Sequence, residues 1–119
     1  MKITIWSIFR DFVNSKPIGS EITRQEIINV VSKMFRNYEK IRRESIMDSS
    51  RDSWSNITHW SKHTIDTNRN MSVRAGYLKM KGFLYPGVYI IEKHFPSDHT
   101  SSKLRKEYEE AMLKRFYNG

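Results

Sequence analysis

The sequence predicts a mainly α chain with a small antiparallel β-hairpin, an α+β class. Three observations predict it. Apolar residues recur at steps of three and four over 24–44, as on one face of a helix. Leu78 and Met80 alternate with Lys79 and Lys81, and a β-rich run follows at 88–93 beyond Pro86-Gly87, which together read as a hairpin. At 119 residues, the chain can bury one core but not two.

The elements follow in order. Ile5, Ile8, Phe9, Phe12 and Val13 predict an amphipathic helix over 3–14, closed by Pro17 and Gly19. A short extended piece, Ser20-Glu21-Ile22, comes next. Thr23-Arg24-Gln25-Glu26 has the spacing of a capping box: the Thr hydroxyl accepts from the amide three residues on, and the Glu reaches back. Ile27, Ile28, Val31, Met34, Phe35, Tyr38 and Ile41 then mark the long helix, whose terminal Arg42-Arg43 suits the helix dipole. Polar residues 48–55 predict a loop. Trp54, Ile57 and Trp60 predict a short helix over 53–61 that sends both indoles to the core. Thr64 as N-cap and Gly76 as left-handed terminus bound a further helix at 65–75. Strands at 77–81 and 88–93 follow, then a helix over 100–117 with Leu104, Tyr108, Ala111, Met112 and Phe116 on one face.

Composition narrows the function. Apolar residues at 38% and 15 aromatics (three Trp, six Tyr, six Phe) argue against a disordered chain. With no cysteine there is no disulfide and no thiolate metal site, which fits a reducing compartment. No apolar run reaches the roughly 18 residues of a membrane span, and no signal-peptide pattern opens the chain. The expectation is a cytoplasmic protein that needs no membrane. The net charge of +8 points to an anionic partner. Half of that excess lies in residues 59–94, with six basic and two acidic groups.

These elements carry a family resemblance. A helix ending in Ala75-Gly76-Tyr77-Leu78 runs straight into a basic hairpin, and Thr64–Asn70 reads T-I-D-T-N-R-N. With Gly87-Val88-Tyr89 and Leu104-Arg105-Lys106-Glu107, the chain resembles winged helix-turn-helix proteins, most of all small ones encoded by bacteriophages. The resemblance implies a winged-helix domain over 1–98 and a C-terminal helix, 99–119, that packs on it or forms a dimer contact. It implies sequence-specific binding of double-stranded DNA, as a transcriptional regulator, in the host cytoplasm for a phage protein. The helix at about 65–75 would enter the major groove, and the basic wing at 77–93 would lie over the adjacent backbone. One departure concerns spacing. About 20 residues separate the long helix from the recognition helix, where a simple helix-turn-helix needs three or four. An insertion at about 45–63, with its Trp-bearing helix, fills the interval.

The residue types suit that role. At ~100° per residue, Ile65, Asn68, Ser72 and Ala75 share the inner face of the recognition helix. Asp66, Thr67, Asn70, Val73 and Arg74 share the outer face, with Arg69 at its flank. Arg can bridge guanine O6 and N7, Asn can bridge adenine N6 and N7, and Thr can meet a thymine methyl. Asp66 is read first as a helix N-terminal residue and second as an acceptor for cytosine N4. Lys62, His63, Lys79, Lys81 and Lys93 are candidates for phosphate contact. The DNA-contacting set is therefore Lys62, His63, Thr64, Thr67, Arg69, Asn70, Arg74, Lys79 and Lys81. Phe83, Leu84 and Tyr85 make an apolar wing tip. Packing against the body is the favoured reading, and insertion beside a base step in the minor groove is the other.

Other chemistry finds less support. His59 and His63 stand four apart, but the expected helix break between them argues against a metal site. No Gly-rich phosphate loop, nucleophile elbow or HExxH run is present, so neither an enzyme nor a cofactor is expected. The rival function is a protein-interaction module of phage type that binds and inhibits an acidic host protein, since fold does not fix function.

Overall fold

Local rules set most element boundaries. The computed structural model describes residues 4–45 and 54–117. The described elements run α1 (Ile5–Asn14), β1 (Glu21–Thr23), α2 (Arg24–Ser45), α3 (Trp54–Arg74), β2 (Leu78–Met80), β3 (Val88–Ile91) and α4 (Ser101–Tyr117). The class is as expected: mainly helical, with a small antiparallel sheet.

Thr4 caps α1, exchanging hydrogen bonds with Ser7. The capping box of α2 forms as its spacing requires. The Glu26 amide donates to Thr23 Oγ1 at 3.0 Å, and the Thr23 amide donates to Glu26 Oε1 at 3.0 Å. At the end of α3, Gly76 adopts φ +92°, which an L side chain rarely tolerates. There the Tyr77 amide donates to the Ser72 carbonyl and the Gly76 amide to the Val73 carbonyl, which completes a Schellman motif. Thr100 caps α4 through the Lys103 amide.

The hairpin gains a third strand. β3 is central, with β2 on one side and β1 on the other, both antiparallel. Met80 lies opposite Tyr89, and Ile22 faces Tyr89 from β1. Alternation along β3 buries Tyr89 and Ile91 on the helix side. Pro86 and Gly87 occupy the centre of a turn closed by the Val88 amide on the Tyr85 carbonyl, with Gly87 at φ +78°.

The core gathers Phe9 and Val13 of α1, Ile22 of β1, Ile27 and Val31 of α2, Ile65 of α3, Leu78 and Ile91 of the sheet, and Leu104 of α4. Burying each such side chain contributes about 1.5–3 kcal/mol. α3 is the hub, touching α1, α2, α4 and β2. Trp6, unremarked in the apolar pattern of α1, is also buried: it meets Phe95 edge-on at 5.0 Å, and its Nε1 donates to the His99 carbonyl at 2.7 Å. No helix among the described residues is long and apolar enough to cross a membrane.

Two expectations need correction. First, residues 54–74 form one helix, not two. No Gly or Pro interrupts it. Thr64 is therefore interior and caps nothing, and the helix break expected between His59 and His63 does not exist. The Thr67 hydroxyl donates back to the His63 carbonyl at 3.0 Å, the i−4 bond of a Thr inside a helix. The loop expected over 48–55 lies, as far as residue 53, outside the described residues. So do the side chains of Trp54, Ile57 and Trp60. Second, the wing tip does not pack on the body: Phe83 is 97% exposed, Leu84 79% and Tyr85 50%. The apolar stripe of α4, read as packing on the body or forming a dimer contact, is covered in its first half. Leu104 is buried and Tyr108 and Ala111 are half-buried, while Met112 and Phe116 are exposed.

Candidate nucleic-acid interface

α3 turns its inner face to the core in the expected register. Ile65, Asn68, Met71 and Ser72 are buried there, with Ala75 half-buried. The rest of its surface divides into two sides.

On the side next to α2 and the sheet, charges are bound to one another. Arg24 opens α2 and forks onto Asp66, with Nε 2.7 Å from Oδ1 and Nη2 3.0 Å from Oδ2. Arg69 Nη1 lies 3.5 Å from Asp66 Oδ1, and its guanidinium sits 5.3 Å from the centre of the Tyr89 ring. The Arg24 amide also donates to the Gly87 carbonyl at the base of the wing, at 2.9 Å. One residue thus ties α2, the wing and α3 together. The hydrogen bonds from Arg24 hold the Asp66 carboxyl below its usual range, and Asp66 in turn raises the Arg24 guanidinium. Asp66 stands in the fourth turn of α3, so the expected N-terminal dipole role does not hold. It is an ion-pair residue.

The outer side is different. His63, Asn70 and Arg74 recur at spacings of seven and four, which places them in one exposed stripe. Lys62 is exposed too, but at ~100° per residue it falls on the side of Asp66 and Arg69. Thr67 is half-buried at the α4 margin, and Thr64 turns further toward the first turn of α4, where it lines a cleft with Ser101. Arg74 and Lys62 have no carboxylate partner among the described residues. Asn70, Val73 and Arg74 share a cleft with Met80 and Tyr89 of the hairpin and Arg115 of α4. His63, Thr67 and Asn70 share another with Arg105 and Tyr108. α4 therefore contributes Arg105 and Arg115 along the margin of the stripe, two cations not singled out in the sequence.

The wing lysines stand apart from this stripe. Lys79 alternates with buried Leu78 and faces outward. Lys81 reaches Glu21 Oε2 at 3.0 Å and covers the Tyr85 ring at 4.4 Å. Lys93 lies over the Tyr77 ring at 4.4 Å. Of the nine residues expected at DNA, α3 brings His63, Thr67, Asn70 and Arg74 together, sets Lys62 on the neighbouring side, and holds Arg69 in internal contacts.

A half-buried polar group that sequence reading missed ties α4 to Tyr77, just beyond the end of α3. Glu107 accepts from the Tyr77 hydroxyl at 2.8 and 3.0 Å and from His99 Nε2 at 2.8 Å. Burial and Glu107 together push the Tyr77 phenol up to about 12. His99 is 3% exposed within a ring of Trp6, Tyr77 and Phe95. No sequence pattern marks this group, because its members come from separate elements. Among the described residues, no set of three or more His, Cys, Asp or Glu side chains is arranged to hold a metal.

No protein-family model matches this chain, and neither does any curated protein or any solved structure.

Proposed function

We propose that this chain binds double-stranded DNA through the outer side of α3 and regulates transcription in the cytoplasm as a winged-helix protein. One observation carries the reading. His63, Asn70 and Arg74 form an exposed stripe of base-reading chemistry, and Arg105 and Arg115 add positive charge along it. A helix of this kind fits the major groove, where Asn and Arg side chains discriminate bases. The element order supports it as well: the stripe lies on the helix that leads into the hairpin, as in the family the sequence resembles.

Phosphate contact releases counterions, so binding weakens with salt. About four contacts imply a log–log slope of about −4. The test is fluorescence anisotropy of a labelled random duplex against salt concentration. Arg74→Ala should shallow the slope by about one unit. Asn70→Ala should leave the random-duplex slope unchanged and, on the operator, relax preference at one base by ~1–3 kcal/mol. No binding of random duplex at low salt would defeat the reading.

A protein-interaction role remains the second reading, and the exposed Phe83 and Leu84 favour it. The acidic host protein of that reading would be captured by the wing tip and its neighbouring lysines. Failure of DNA binding together with capture of an acidic protein that Phe83→Ala abolishes would establish it.

A further inference from the structure

The wing tip is held by hydrogen bonds and an ion pair, yet Phe83 and Leu84 are left exposed. Residues 82–87 extend beyond the last hairpin bond, from the Lys81 amide to the Val88 carbonyl. Two turns shape them. The Tyr85 amide bonds the Gly82 carbonyl, which sets Phe83 and Leu84 at the corner, and Pro86-Gly87 makes the second turn. The base is braced from three sides. Lys81 pairs with Glu21 of β1 and lies over the Tyr85 ring, and the Gly87 carbonyl is bound by the Arg24 amide. A phenyl ring 97% exposed and a leucine 79% exposed are thus presented at a fixed corner. Neither contributes to the core, and no charged residue stands between Gly82 and Gly87.

Resting on the DNA reading above, we infer that Phe83 and Leu84 form a wedge that enters between base pairs from the minor groove and kinks the DNA held by α3. Apolar side chains that part a base step in this way bend the duplex toward the major groove. Two observations favour DNA as the occupant. The hairpin is continuous with the α3 stripe, since Met80 and Tyr89 share a cleft with Asn70 and Arg74. Lys79 also lies exposed on the hairpin behind the tip, where a backbone phosphate would meet it. A rigid corner suits a wedge, because ordering a floppy loop on binding would offset the gain.

The test uses two duplexes of about 30 base pairs, one with a central TA step and one with a central A-tract, since pyrimidine–purine steps kink most readily. Both carry donor and acceptor dyes at their ends. The TA duplex also exists with 2-aminopurine beside the step. Wild type should raise energy transfer on the TA duplex more than on the A-tract, and should brighten the 2-aminopurine as it unstacks. Phe83→Ala/Leu84→Ala should bind the TA duplex about tenfold more weakly, with neither signal at saturation. These positions are exposed, so the variant should fold as wild type does. If wild type binds without either signal, or the double variant bends DNA as well as wild type, the wedge is overturned and the α3 reading stands. If wild type binds neither duplex at low salt, the DNA reading fails and the wedge with it. If the variant bends DNA normally but loses a self-association seen by sedimentation, the tip is a contact between copies.

Discussion

The two sides of α3 carry similar residues to different ends. Toward α2 and the sheet, Asp66 and Arg69 are bound by Arg24 and Tyr89. Toward solvent, Asn70 and Arg74 have no charged partner among the described residues, and His63 only adds its field to that lowering Asp66. Arg69 and Arg74 are five residues apart on one helix, yet one is half-buried over an aromatic ring and the other exposed. Residue type alone does not make an arginine a DNA contact. What matters is whether the fold already occupies its charge. A carboxylate 42 residues from its arginine in sequence decides the matter here.

The widest separation between inner and outer faces is in stability. Ile65 is fully buried, and Ile65→Ala should destabilise the chain by about 2–5 kcal/mol through lost burial and a cavity. Arg74→Ala should change stability by less than about 0.5 kcal/mol while weakening duplex binding. Urea unfolding of both variants beside anisotropy checks this. Arg74→Ala that loses binding and stability together would show that Arg74 belongs to the fold after all.

This contrast also shows how much the sequence could convey. Thr23 and Glu26, Gly76, and Pro86 with Gly87 act through their own neighbours, so their spacing sufficed to place them. The 100° rule likewise put Ile65, Asn68 and Ser72 inside, and Asn70 and Arg74 outside. Longer reach was not legible. Nothing local in Glu21–Thr23 says that it will pair with β3, and nothing in Asp66 names Arg24. Thr64 has the chemistry of a cap and stands inside a helix instead, because a polar β-branched residue tolerates either place when no Gly or Pro decides. Phe83 and Leu84 invited burial by hydrophobicity, but their corner projects beyond the described elements and leaves both exposed. His99 and Glu107 meet Tyr77 only once α4 docks.

The seam between α3 and α4 offers a titration that distinguishes structural from ligand-facing groups. The Tyr77 phenol ionises near 10 when unfolded and near 12 in the fold. Below pH 10 both states hold the proton and its stabilising effect is complete. Between pH 10 and 12 the unfolded chain loses the proton first, so stability falls as pH rises. Two units correspond to at most about 2.7 kcal/mol. Urea midpoints across that window should fall more steeply for wild type than for Tyr77→Phe, and equal slopes would remove the Tyr77–Glu107 bond from the account of how α4 is held.

A smaller change in stability than that of Tyr77 addresses the bound side of α3 most directly. Arg24 holds the Asp66 carboxyl below its usual range, so this pair stabilises the fold above about pH 4 and stops doing so as pH falls through the lowered value. Both side chains are more than a third exposed, so Asp66→Asn should cost about 0.5–1 kcal/mol at neutral pH and flatten the acid limb of the stability curve. Its effect on DNA should run the other way. Removing the carboxylate takes one negative charge from beside the stripe and releases Arg24 and Arg69 from it. Random-duplex binding should tighten, and the salt slope should steepen by about one unit if one released guanidinium reaches a phosphate. An unchanged slope would mean that Tyr89 alone suffices to keep Arg69 from the DNA. A weaker grip on DNA would mean that the Arg24–Asp66 fork orients α3 for docking, and the two sides of the helix would then act as one device.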